Sequence, residues 1–218
     1  PVWSDGSLVT GAATWGNGTI GITGTISSSN SLVGSHMMDY VGGWVLPLSN
    51  GNYLVVSQEW DNAGPNSGKG AVTWGNGLKG ISGVVNSNNS LVGSVAGDFV
   101  GNEFLTAEDN YITASRGWDN GGLTDAGAVT LIGPGTSAVS GTITNCNSVL
   151  GSAVNNGSRL QFSGNKLYGY LLVSHATDNI VNVFDPVGTT LANAVDSALV
   201  TLNGNSPVPL LTSDGCHI

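Results

Sequence analysis

A Trp-Asp-Asn corner, a variable turn and a Gly-Ala-Val-Thr segment occur together twice in this chain, in Gln58–Gly77 and again in Arg116–Gly135. The spacing extends well beyond those blocks. Trp15 aligns with Trp74 and Leu131, Leu32 with Leu91 and Val149, and Asn62 with Asn120 and Asn179, in steps of 57 to 59 residues. A period of this length marks a chain built from supersecondary units that cannot bury a core singly and must stack. The repeat constrains the fold more than any single motif does.

Within one unit, β-rich runs bounded by Gly, Asn and Ser predict four short strands. They are expected at Trp44–Leu48, Tyr53–Gln58, Ala71–Trp74 and Ile81–Val85, and again at Glu103–Ala107, Tyr111–Ser115, Ala128–Leu131 and Ala138–Thr144. The blocks SNSLVGS (29–35), NNSLVGS (88–94) and NSVLGS (147–152) read as a recurring corner. The fold class expected is all-β, in four-stranded antiparallel blade-like repeats of about 58 residues, propeller-like and either open or completed by a neighbouring chain. Only Thr189–Leu202 is ambiguous: it could hold a helical turn, while repeat alignment makes its end the third strand of the last unit.

The repeats parse as one repeat domain over 1–218: a half repeat at 1–30, repeats at 31–88 and 89–146, and a divergent repeat with an insertion at 147–218. Half a unit plus three is too few blades to close an ordinary propeller of four to eight. Three arrangements are open: a piece of a longer array, a subunit whose edges join head to tail, or an open stack. Exposed strand edges template further pairing.

Composition narrows the function classes. The 218 residues include 34 glycines, 9% are charged, and the formal charge is −9, with only five lysines and arginines scattered along the chain. Such a surface repels phosphate, so nucleic acid and anionic membranes are poor partners. No apolar run approaches the roughly 20 residues of a bilayer span, so no membrane insertion is expected. The chain begins with Pro1, from which a processed or trimmed N-terminus is expected. Cys146 and Cys216 form no CxxC pair; they are candidates for a disulfide, within the chain or between chains, or for two free thiols.

Catalytic constellations are not evident. His36, His175 and His217 fall at unrelated repeat positions, and Glu59, Glu103, Glu108 and Asp109 are not spaced as a carboxylate pair. Asp39 and Asp98 occupy one repeat position before Tyr-Val-Gly and Phe-Val-Gly and read as backbone caps. The Gly-Asn-Gly turns do not precede a helix, so they lack the context of a phosphate loop. No catalytic residue, cofactor or metal is expected. Trp60, Asp61, Trp118 and Asp119 carry two readings: a structural corner, or an aromatic and polar surface for stacking and hydrogen-bonding a sugar.

The succession SLVGS…GDFVG, NGNYLVVS and WDN…GAVTWGNG resembles the glycine-rich tandem repeats of large bacterial surface and haemagglutinin-like proteins. It also resembles, more distantly, the FG-GAP blades of integrin-type propellers. The first resemblance implies a secreted surface role. Calcium-binding relatives of the second carry dense Asp runs, which Asp119 and Asp125 only approach. The expectation is a non-catalytic extracellular or cell-surface structural or adhesive protein. It would self-assemble into a homo-oligomer or homopolymer through strand edges. The alternative is a multivalent lectin-like module for surface glycans.

Overall fold

The computed structural model describes residues 3–4, 6, 8–61, 68–107, 110–132, 139–157, 160–165, 170–175, 180–184, 198–203 and 206–208. The ambiguous 189–202 stretch lies outside these residues up to position 197; the rest of it is strand. The described residues are almost entirely strands and turns, without an α-helix. They divide into two compact units, Pro1–Gly101 with Ala138–Thr142, and Asn102–Ser137 with Ile143–Ile218, where the sequence reading has one repeat domain.

In the first unit lie β1 (Ala12–Thr14), β2 (Ser31–Val33), β3 (Trp44–Pro47), β4 (Tyr53–Ser57), β5 (Ala71–Gly75), β6 (Gly83–Val84) and β7 (Ser90–Val92). Strands β3, β4, β5 and β7 form a four-stranded antiparallel blade. The second unit repeats this with β8 (Glu103–Ala107), β9 (Asn110–Ser115), β10 (Ala128–Ile132) and, beyond β11 (Gly141–Thr142), β12 (Ser148–Leu150). Strands β13 (Leu160–Asn165), β14 (Tyr170–His175), β15 (Ile180–Phe184), β16 (Ala198–Asn203) and β17 (Ser206–Val208) form a separate antiparallel meander. There β15 stands between the strands that would be neighbours in the earlier repeats.

The fourth blade strand is the Ser-Leu-Val segment that the sequence presents as a corner. It is only three residues long and flanked by Asn and Gly, so local pattern favours a turn. The run expected to be the last strand of the unit instead leaves its own blade. Counted by blades, with Ser-Leu-Val closing each one rather than opening the next, β6 pairs in parallel with β2 of the preceding blade, and β11 with β7 of the preceding blade. The chain returns through a turn in which Ser90 N–H donates to Asn86 O at 3.0 Å, and then lays β7 beside β5. This crossing explains why Ala138–Thr142 clusters with the first unit.

The core follows from these registers. Leu32, Val41, Val55, Ala71, Val85 and Val92 form one buried cluster, with Tyr53, Trp60 and Ile81 packed against it. Leu32 comes from the blade of β1 and β2 and Val85 from the repeat that supplies β6, so this cluster joins side chains of two successive repeats.

A buried hydroxyl pair fixes the register of β5 on β7. Thr73 and Ser90 lie directly opposite, with their Oγ atoms 2.6 Å apart, and Ser90 donates onward to Asn89 Oδ1 at 2.8 Å. With the Ser90 proton committed, Thr73 is the donor to Ser90. The same relay recurs as Thr14–Ser31–Asn30 and Thr130–Ser148–Asn147. Thr73→Val keeps the shape and removes the donor, so it should cost about 1 kcal/mol in chemical denaturation, while Thr73→Ser should recover most of it.

Candidate functional site

Two features recur with the repeat: the polar corner and the edge at which strands are exchanged. The corner is built around a fully buried carboxylate. Asp39 Oδ2 accepts from the backbone N–H of Ser35 at 2.7 Å and of His36 at 2.8 Å, while Oδ1 accepts from Asp61 N–H at 2.9 Å. One repeat later Asp98 Oδ2 accepts from Ser94 N–H at 2.6 Å and Val95 N–H at 2.9 Å. Asn156 is buried at the third equivalent position. An ionised oxygen that satisfies several amides is a strong local tie.

Asp61 lies at the surface of this corner. Its carboxylate is 2.6 Å from Lys69 Nζ and 3.5 Å from His36 Nδ1. Asp119 Oδ1 instead accepts from Asp125 N–H at 2.8 Å. His36 follows β2 while Asp61 and Lys69 lie in the connection between β4 and β5, and nothing in their spacing announces the cluster. Among the described residues no group of three or more His, Cys, Asp or Glu side chains is placed to hold a metal ion.

Trp60 and Trp118 stand after β4 and β9, and their carbonyls close the corner. Trp60 O accepts from Lys69 N–H and Gly70 N–H, and Trp118 O from Gly127 N–H. Trp118 is 5% exposed and Trp60 is half-buried. Trp118→Ala should therefore lower the melting temperature through loss of packing, by an amount equivalent to about 3 kcal/mol or more. Glu103 forms a forked ion pair with Arg116, with Nε–Oε1 at 2.7 Å and Nη2–Oε2 at 2.8 Å, and Arg116 Nη1 also donates to Gly157 O at 2.8 Å. These contacts tie the blade's end rather than free a carboxylate for chemistry. Glu108, Asp109 and His217 lie outside the described residues, as does Cys216; Cys146 is disulfide-bonded.

An open cavity of about 230 Å³ is lined by β1, Trp15, Gly42, Val45 and Tyr53. Trp15 is held by its Nε1–H, which donates to Gly77 O of the next repeat at 3.1 Å. Burial raises the pKa of the Tyr53 phenol, opposed by a backbone hydrogen bond from Ile81. A raised folded-state value means the unfolded chain ionises first, so stability falls as pH climbs past the ordinary tyrosine value of about 10. Melting curves above that pH should fall less steeply for Tyr53→Phe than for the wild type.

The exchange edge is the second recurring feature. Gly83 and Val84 of β6 lie opposite Leu32 and Val33, and Val85 N–H donates to Val33 O at 3.1 Å. Val85 is then 2% exposed. At the next step Gly141 and Thr142 lie opposite Leu91 and Val92, and Ile143 is 4% exposed. Each donor thus supplies two strand residues and is followed by a buried apolar side chain, which in the case of Val85 packs with Leu32 and Val92. No helix among the described residues is long and apolar enough to cross a membrane.

A family model described as a repeat of unknown function, DUF5650, matches residues 1–43, 47–102 and 105–159. The third match ends one residue before β13, where the meander begins. No curated protein matches the chain.

Proposed function

The chain belongs to the DUF5650 repeat family, and from that premise we propose that it is a non-catalytic, extracellular structural or adhesive repeat protein whose copies associate through strand edges. The observation that carries this reading is the repeated pairing of a short strand from one repeat with the sheet before it, followed each time by a buried apolar side chain. An architecture in which each unit completes its predecessor is suited to linear extension, and parallel backbone pairing makes the joint tolerant of surface sequence. The likeness to haemagglutinin-like surface repeats and, distantly, to FG-GAP propeller blades supports a place outside the cell. A surface with few charges is also little affected by changes in salt.

Light-scattering mass measured over a wide concentration range, with negative-stain images of the same samples, tests the reading. Closed rings or filaments are expected as concentration rises. A compact monomer throughout overturns self-association.

The cavity beside Trp15 and Tyr53 favours a second reading, a lectin-like module for surface glycans, because an aromatic face with an adjacent phenol suits a sugar ring. A glycan array with saturable binding lost in Trp15→Ala would support it; no binding above background would remove it.

A further inference from the structure

We propose that Gly24–Ile26 of one copy is the donor strand for the outer edge of β12 in a second copy, running parallel to it with Gly24 opposite Val149 and Thr25 opposite Leu150. This assignment names the contact behind the self-association reading and rests on it.

The donor is already shaped. Gly24 occupies the repeat position of Gly83 and Gly141, the glycines that open β6 and β11, and the three share a left-handed backbone with φ of 103°, 117° and 97°. The turn that follows is also the same. Asn30 Nδ2 donates to Thr25 O at 3.0 Å, as Asn89 Nδ2 donates to Val84 O at 2.9 Å. Ser27 N–H donates to Asn30 Oδ1 at 2.9 Å, as Asn86 N–H donates to Asn89 Oδ1 at 2.9 Å. Yet among the described residues Gly24 and Thr25 pair with no strand and are exposed, and Ile26 is only half-buried where its equivalents Val85 and Ile143 are buried.

The acceptor is equally prepared. β12 lies on β10 in the register that β7 adopts on β5: Ser148, Val149 and Leu150 oppose Thr130, Val129 and Ala128. Strands β2 and β7 each carry a donor on the other side, whereas β12 is the edge of its sheet among the described residues. Every residue of β2 and β7 is buried, but Val149 and Leu150 of β12 are half-buried. The two covered edges show what covers such a strand: a Gly-Val or Gly-Thr pair followed by an apolar residue, which is what Gly24–Ile26 offers.

Donor and acceptor are different surfaces, so the contact is heterologous and each copy can use both, giving a ring if the rotation closes and a filament if it does not. The full chain, the variants Ile26→Pro and Ile26→Asp, and a synthetic peptide spanning Gly21–Ser28 form the test, read as light-scattering mass against concentration. Ile26 holds the position of Val85, whose N–H donates to Val33 O, so proline there removes the ladder N–H at a place outside any strand, and the variant should keep the wild-type circular dichroism. Ile26→Asp keeps that N–H and removes the apolar side chain alone. The wild type should associate, each variant should weaken association at least about tenfold, as expected for a lost ladder bond or apolar anchor, and excess peptide should return the wild type to monomer. Association equal to wild type in both variants and indifferent to peptide overturns the assignment while leaving self-association by another surface. A wild type that is monomeric at every concentration overturns both.

Discussion

Gly70→Ala should destabilise the chain by about 3–5 kcal/mol, the sum of a left-handed backbone forced on a residue with a side chain and a collision that only backbone movement can relieve. Gly70 sits at φ 79°, where L-residues are strained. A Cβ there would lie 2.6 Å from Val100 O and 2.7 Å from Phe99 C, and closer still to Val100 N. Those atoms belong to main chain that bridges Gly70 itself, between Gly70 and Val100. Gly70 also donates to Trp60 O and accepts from Gly93 N–H at 3.1 Å, so displacing it disturbs the corner and the turn after β7 together. Urea denaturation with tryptophan fluorescence should show a large fall in midpoint. Near-wild-type stability would mean that the two backbones are not held in close approach. Gly68→Ala is a poor control, because its Cβ would meet Gln58 O; Gly51→Ala, which meets no neighbouring atom, isolates the cost of positive φ alone.

Asp39→Ala should cost about 3 kcal/mol. It withdraws one carboxylate from three backbone amides, those of Ser35, His36 and Asp61, and hydrogen bonds to a charged group are each worth about 1.5–3 kcal/mol before water recovers part of the loss. The recovery is real here, since Ser35 and His36 are exposed, so the total falls short of a simple sum. Asp39→Asn retains an acceptor and should lose less, a difference that separates the capping role from packing. Hydrogen exchange of the three amides should accelerate together in Asp39→Ala. Unchanged exchange at Asp61 would show that its link to the buried carboxylate contributes little.

Much of the blade is written in local pattern. Tyr53–Ser57 and Ala71–Gly75 are apolar runs closed by Gly, Asn or Gln, and their strands lie within a residue of where those signals place them. Asp39 and Asp98 stand out because one position in consecutive repeats carries an acid before an aromatic-Val-Gly triplet. Asn156, their buried third equivalent, does not, because an amide at that place resembles any other loop asparagine. Ser31–Val33 and Ser90–Val92 were hidden by brevity: three residues between Asn and Gly look like a turn, and only their pairing makes them strands. The partner of β6 was hidden by distance along the chain. Parallel pairing of Gly83 with Leu32 leaves no periodic trace in either segment, since the glycine has no side chain to alternate. The cluster of His36, Asp61 and Lys69 was illegible for the same reason, being assembled by tertiary structure from the loop after β2 and the loop between β4 and β5.

The late arrival of Val85 in the core around Leu32 and Val55 also bears on how such a chain is made. During synthesis from the N-terminus, the blade that includes β2 cannot finish until some fifty further residues have emerged, because β6 and Val85 lie that far downstream. Completion therefore runs one repeat behind elongation, and a nascent chain always ends in an unfinished sheet with an adhesive edge. Slow translation would prolong exposure of that edge, whereas a holding chaperone would shield it until the next donor appears.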